Sequence, residues 1–181
     1  MRITTAVKYL AGVSAAVVAA VGGGAVALSP AAARADAQEQ FPLVEDYSYP
    51  NAAAILEQQN VKLISGDGRI LIADCATPPA NNIGLLKVYT TDERIGADGI
   101  GRVCFKVTGP RGVLNLEVPG VFEIRGDGQS TGAGHEVTAD LTTDDGDKVT
   151  VAVDPDGSTQ VGRGADPANE PTMLLRLTVT G

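Results

Sequence analysis

The sequence of 181 residues contains no tryptophan, one histidine and two cysteines, and aromatic residues make up 4% of it. Carbohydrate-binding modules stack sugar rings on exposed aromatic side chains, so the absence of tryptophan argues against that class of protein. A hydrolase with a Ser-His-Asp arrangement would have to use His135 as its base, because no other histidine is available. No catalytic motif stands out in the remaining sequence.

Basic residues are also in short supply. The sequence has 14 Lys and Arg against 22 Asp and Glu, which gives a formal net charge of −8. An acidic surface repels phosphate groups, so we expect no nucleic acid and no anionic membrane as partner. A negative charge favours solubility, and it also suits the binding of cations or basic peptides.

The amino-terminal segment has the features of a secretion signal. Arg2 and Lys8 precede a run without charges over residues 9–33, and residues 35–37 form a small-x-small cleavage site, Ala-Asp-Ala. A membrane anchor is the alternative, but the glycines at 22–24 interrupt the apolar run. We therefore predict cleavage after residue 37, an extracellular protein and no stable membrane insertion after cleavage.

The two cysteines, Cys75 and Cys104, are predicted to pair, because cysteines of secreted proteins are usually oxidised. Closing a loop of about 30 residues would stabilise the protein by about 3–4 kcal/mol on the chain-entropy estimate. A thiol nucleophile or a metal pair is the alternative, and the absence of a CxxC motif does not favour it.

Three segments follow from the pattern of residues: a signal peptide (1–37), a lead-in with a short helix (38–60) and a β-sandwich domain (61–181). Pro50 favours a helix start, good helix formers occupy 52–59, and Asn60 is a plausible end. Ala52, Ile55 and Leu56 would form its narrow apolar face.

After Asn60, apolar residues alternate with polar ones, which predicts short strands. Nine strands are predicted, at 61–65, 69–75, 83–90, 101–108, 113–118, 121–125, 135–143, 148–154 and 172–180. The Gly-Asp-Gly run at 66–68 favours a tight hairpin, and Pro119-Gly120 favours a turn between two strands.

The alternation also predicts which side chains face inward. Val149, Val151 and Val153 are expected to face inward from one strand, whereas the last strand is expected to place four apolar residues on one face: Met173, Leu175, Leu177 and Val179.

Such strands, half-buried and separated by turns rich in Gly, Pro and Asp, are typical of antiparallel sheets. The predicted fold is all-β, an antiparallel two-sheet β-sandwich of immunoglobulin-like or jelly-roll type with one short amino-terminal helix. Two longer connections, 91–100 and 162–171, are where binding is expected, since loops on a rigid scaffold commonly carry function.

Five runs of residues stand out, at 46–50 (DYSYP), 63–68 (LISGDG), 103–109 (VCFKVTG), 124–128 (IRGDG) and 174–181 (LLRLTVTG). In these runs the chain resembles a family of small secreted proteins of actinomycetes, and the resemblance covers nearly all of the chain after the signal. It implies secretion and a single domain, and it transfers no functional residues.

His135 is the main candidate for chemistry. Ser130 or Ser158 with Asp140 would be its partners in a hydrolase, but no Gly-x-Ser-x-Gly motif is present. If His135 lies exposed at a strand start, its replacement by alanine is expected to be nearly neutral for folding.

Other motifs are weaker. The acidic turns 144–147 and 154–157 resemble calcium loops, and together they could supply the oxygens that calcium needs. Arg125-Gly126-Asp127 matches an integrin-binding tripeptide, although its glycine and aspartate are also common turn residues. The glycines between 126 and 134 lack the lysine and the helix of a phosphate-binding loop. Tyr47 and Tyr49 could form a small patch near the helix.

These observations predict a secreted, non-catalytic β-sandwich protein with a binding or surface role, monomeric, whose partner is an unknown protein or small molecule. One alternative is an inhibitor, for instance of proteases, that uses residues 76–79 beside the disulfide, since a tethered loop is preorganised. The other is a small hydrolase that uses His135.

Overall fold

Residues 47–181 are described in a computed structural model, and they form one antiparallel sheet with a single short helix. The predicted signal peptide lies outside these residues, as do the lead-in up to residue 46 and Phe41. The helix is α1 (Ala52–Gln59). The strands are β1 (Lys62–Gly66), β2 (Ile70–Ala73), β3 (Leu86–Thr90), β4 (Arg102–Val107), β5 (Gly112–Arg125), β6 (Val137–Thr143), β7 (Lys148–Val153), β8 (Ser158–Gln160) and β9 (Thr172–Val179).

The all-β class is thus confirmed, but a sandwich of two separate sheets is not. The main path of the sheet runs β2-β4-β3-β5-β9-β6-β7, and β1 and β8 both pair with β5. β5 is long enough to take part in both halves of the sheet: its first half pairs with β1 and β9, and its second half pairs with β3 and β8. Because β5 is shared, the strands that the sequence predicts as two sheets form one sheet.

Two predicted turns are wrong. The run at 66–68 does not close a hairpin, because β1 pairs with β5 whereas β2 pairs with β4. The Asp67 N–H donates to the Val113 carbonyl of β5 at 3.2 Å. This run is therefore a corner between β1 and β2 that is hydrogen-bonded to β5. Pro119-Gly120 lies within β5 rather than between two strands, and the Thr91 N–H donates to the Gly120 carbonyl at 3.0 Å.

The helix prediction is confirmed, with one difference in its apolar face. α1 ends at Gln59, and the N–H of the following Asn60 donates to the Leu56 carbonyl at 3.0 Å. Ala52 and Ile55 pack against the core, but Leu56 is 45% exposed. A two-turn helix on the edge of a sheet covers the core with only one narrow strip of its surface.

The core lies between the inward faces of the strands and contains the fully buried side chains of Phe105, Leu114, Leu116, Ile124, Leu174 and Leu177. The inward residues predicted for the last strand are wrong in part. An extra residue at Leu175 shifts the register, so that Asp140 pairs with Arg176 but Leu141 pairs with Leu174. Such a bulge moves Leu174 into the core and leaves Leu175 half-buried.

No helix of residues 47–181 is long and apolar enough to cross a membrane. The two cysteines form the predicted disulfide, with their Cα atoms 5.3 Å apart. Cys104 lies on β4, and Cys75 follows β2, the strand that pairs with β4. The bond therefore closes one edge of the sheet.

Candidate functional site

A cleft of about 680 Å³ lies where the ends of several strands and loops meet. The connection between β2 and β3 forms one wall, the end of β4 and its following loop form another, and the start of β6 forms a third. Its lining combines apolar side chains with about as many polar ones. The polar side chains on the wall are those of Thr77, Asn81, Lys106, Thr108, His135, Glu136 and Thr180.

His135 is held in this wall by Asp127. Its Nδ1 lies 2.7 Å from Asp127 Oδ2, and its backbone N–H donates to Asp127 Oδ1 at 2.8 Å. The Asp127 side chain is fully buried, whereas the His135 side chain is 23% exposed. A carboxylate only accepts hydrogen bonds, so Nδ1 carries the proton and Nε2 is the ring nitrogen left for a ligand.

The glycine-rich loop explains how Asp127 reaches this buried position. A Cβ on Gly126 would lie 2.2 Å from the Pro155 carbonyl oxygen, and one on Gly134 would lie 2.3 Å from the same atom. The Asp127 carbonyl also accepts the Gly84 N–H at 2.6 Å. The glycines thus let three chain segments pack closely around Asp127, which is a structural role rather than phosphate binding.

The predicted triad partners of His135 are not at the site. Asp140 accepts a hydrogen bond from Thr150 Oγ1 at 2.7 Å, and Ser158 Oγ donates to Glu123 Oε1 at 2.8 Å. Neither Ser130 nor Ser158 lines the cleft. The acidic partner is Asp127, which the sequence places in a turn between two glycines, and only folding brings it to His135.

Burial of Asp127 also removes the integrin-type interpretation of residues 125–127. Its carboxylate is fully buried and is occupied by the backbone N–H and the ring of His135. A buried carboxylate cannot be presented to a receptor, so this tripeptide is part of the fold.

The two acidic turns do not combine into a calcium site, because they lie at opposite ends of β7. A six-residue strand is about 20 Å long, which is far beyond the reach of two ligands on one ion. Within residues 47–181, no group of three or more His, Cys, Asp or Glu side chains is placed to hold a metal ion.

The tyrosine patch is also absent. Tyr49 is buried, at 8% exposure, and its hydroxyl accepts the Ile72 N–H at 2.8 Å. Tyr47 is exposed. The two side chains therefore do not form one platform, and Tyr49 belongs to the core.

The long connections differ in their roles. In residues 91–100, Ile95 is buried and the Gly96 N–H donates to the Gln59 carbonyl at 2.8 Å, so this loop packs on the end of α1. Arg94 binds the Asp92 carboxylate through its side chain, and this hydrogen bond lowers the pKa of Asp92 to about 2. The connection at 162–171 contains a short 3-10 helix, Gly162–Gly164, and lines a second cleft.

Three cations lie close together on neighbouring strands of the sheet. Lys87 on β3 lies beside Arg125 of β5 and near Arg102 of β4. Partial burial lowers the pKa of Lys87, and the charges of Arg102 and Arg125 lower it further. The side-chain hydrogen bond to Asp98 raises the pKa of Arg102.

Comparison with known proteins finds no family model that matches the sequence, and no curated protein matches it either. The cleft and the pair of His135 and Asp127 are the features of this chain that point to a function.

Proposed function

We propose that this is a secreted, non-catalytic binding protein whose ligand occupies the cleft beside His135. The observation that carries the proposal is the fixed His135 ring, which a fully buried carboxylate orients at the wall of a cleft of about 680 Å³. A cleft of this size is in the range of small-molecule sites. The resemblance to secreted actinomycete proteins, the apolar amino-terminal run and the disulfide support secretion.

The lining suggests the chemistry of the ligand. Lys106 offers N–H donors to an anionic group and His135 Nε2 accepts a hydrogen bond, whereas Ile83, Leu85 and Pro110 offer apolar contacts. A small carboxylic acid with a hydroxyl group and an apolar body, or the corresponding part of a peptide, matches all three kinds of contact.

The test is titration of the labelled protein with aromatic and aliphatic hydroxycarboxylic acids, followed by NMR. We expect shift changes at the cleft, and we expect Lys106→Gln and His135→Gln to weaken binding about tenfold. Lys148→Gln is the matched control, since Lys148 is an exposed lysine outside the cleft. Shifts scattered over the surface, or equal affinities in all variants, would contradict the proposal.

A hydrolase is the second candidate, and the His135–Asp127 pair itself favours it. An aspartate that orients a histidine is how many hydrolases hold their general base. The hydroxyls that line the cleft belong to Thr77, Thr108 and Thr180. Turnover of ester, peptide or glycoside substrates that disappears in both His135→Gln and Asp127→Asn would select the enzyme over the binding protein.

An inhibitor role would use the loop at residues 76–79, of which Thr77 and Pro78 also line the cleft. Residues 76–79 are exposed directly after the disulfide, and Asp74 holds the turn before them by accepting the Ala76 N–H at 2.8 Å. Inhibition assays with secreted proteases test this alternative. Loss of inhibition after a Thr77→Asp substitution would support it, because that substitution adds a charge to the presented loop.

A further inference from the structure

β7 is an edge strand of the sheet. It pairs only with β6 in the part of the chain that the structure describes, and its other side has no strand partner. Val149, predicted to face inward, is 43% exposed, and Val151 is half-buried, so only Val153 of the three valines is fully covered. An edge with exposed valines is a template for a further strand.

The pairing with β6 tells which backbone groups face outward. The Thr143 N–H donates to the Asp147 carbonyl at 2.9 Å, which makes this a hydrogen-bonded pair of residues. Hydrogen-bonded pairs alternate along an antiparallel ladder. The backbone groups of Val149 and Val151 therefore point to β6, and those of Thr150 and Ala152 point to the open side.

A second cleft, of about 510 Å³, lies beside the inward face of this edge. Val149 and Val151 form part of its wall, and the connection at 162–171 forms the opposite side. Its polar lining includes the carboxylates of Asp145, Asp147 and Glu170. A strand added to β7 would place alternate side chains over Val149 and Val151, and so into this cleft.

We propose that β7 binds an extended segment of a partner protein that has apolar residues in its middle and basic residues at its ends. Both ends of β7 carry acidic turns, at 144–147 and at 154–156, and the whole chain has a net charge of −8. A second copy of this chain does not fit, because parallel or antiparallel pairing of two β7 strands brings acidic turns together. Basic residues at both ends of the segment complement these turns in either direction.

This binding surface is separate from the cleft at His135, so a negative result for one proposal does not affect the other. The probe is a synthetic peptide of about ten residues with alternating valine and threonine in its middle and two lysines at each end, a length that matches one strand. The control peptide has glutamates in place of the lysines. We expect the lysine peptide to bind, to shift NMR signals of β7 and of residues 162–171, and to weaken with added salt.

Ala152→Pro is the most specific variant, because it removes an outward-facing backbone N–H without removing a hydrogen bond to β6. We expect it to weaken binding of the lysine peptide about tenfold or more, whereas Ala152→Val leaves binding unchanged. If the proline variant does not fold, Val149→Lys serves instead, since it puts a cation on the exposed wall of the cleft and should weaken binding comparably.

Several results would overturn the proposal. These are no binding of the lysine peptide at about 1 mM, equal binding of the glutamate peptide, or unchanged binding after both substitutions. A dimer in sedimentation experiments that Ala152→Pro separates into monomers would assign the edge to a second copy of the chain instead.

Discussion

At the scale of single residues, Asp127 and His135 stabilise each other through two hydrogen bonds. The carboxylate is fully buried, and both of its oxygens bind groups of His135, one the ring and one the backbone N–H. Buried charges are costly unless they are hydrogen-bonded. The ring of His135 therefore contributes to folding as well as to the wall of the cleft.

His135→Ala is thus expected to destabilise the protein, contrary to the neutral effect expected for an exposed histidine. The backbone N–H still binds Asp127 Oδ1, but Oδ2 loses its partner, and we expect a cost of about 1–3 kcal/mol in the free energy of unfolding. Urea denaturation measures it. Glu136→Ala is the control, since Glu136 is exposed and should change stability by less than about 0.5 kcal/mol. Equal stability of both variants would contradict the role of the ring.

Asp92 provides a prediction for acid pH. Arg94 lowers its pKa from 3.8 to about 2 in the folded protein, mainly through a side-chain hydrogen bond. Because the folded pKa is below the ordinary one, the contribution of Asp92 to stability is complete above about pH 4 and disappears as the pH falls through about 2. In Arg94→Gln we expect the pKa of Asp92 to rise toward 3.8.

NMR titration of the Asp92 carboxyl in both proteins measures this change. Arg163→Gln is a suitable control, because Arg163 is exposed and distant in sequence from Asp92. An unchanged pKa of Asp92 in Arg94→Gln would mean that another group lowers it.

Strand β5 is the most consequential single element. Its 14 residues continue through Pro119-Gly120, where the sequence indicates a turn. Gly120 has a φ of 65°, and the Thr90 hydroxyl donates to the Pro119 carbonyl at 2.5 Å. Contacts with Thr90 and Thr91, at the end of β3, thus stabilise a bend within the strand, so that β5 changes partners without ending.

Gly120→Ala is expected to destabilise the protein through this bend. The residue would have to keep a positive φ, and its Cβ would lie 2.5 Å from Thr91 Oγ1. We expect a loss of about 1–3 kcal/mol in the free energy of unfolding, measured by urea denaturation. Pro119→Ala, one position earlier and exposed, should cost less. If Gly120→Ala is as stable as the parent protein, the bend is not strained in the way described.

At the same scale, local patterns predicted some elements well and others poorly. α1 was located correctly, because its helix formers and the following asparagine act within one short segment. The run at 66–68 and the bulge at Leu175 were missed, because both depend on which strand lies alongside. β8 was also missed, since its three residues pair with β5 and have no alternation of their own.

For the molecule as a whole, the disulfide is the main covalent constraint. Cys75 and Cys104 are 29 residues apart in sequence, and their bond links the end of β2 to β4. Replacing both cysteines, as Cys75→Ser with Cys104→Ala, should cost about 3–4 kcal/mol on the chain-entropy estimate and lower the melting temperature by several degrees.

Calorimetry of the parent protein with and without a reductant, alongside the double variant, tests this effect. The reduced parent and the double variant should melt at similar temperatures. An oxidised parent that melts no higher than the double variant would show that the bond does not stabilise the fold.

The sequence by itself determined the fold class, the helix and the disulfide, because alternation, helix propensity and cysteine count are local or compositional properties. Only the tertiary structure decided that β1 and β2 do not form a hairpin, that β5 joins the sheet into one, and that Asp127 rather than Asp140 holds His135. The physical reason is the same in each case. Hydrogen bonds between distant segments and the burial of Asp127 depend on which strands become neighbours, and no local pattern of residues encodes that choice.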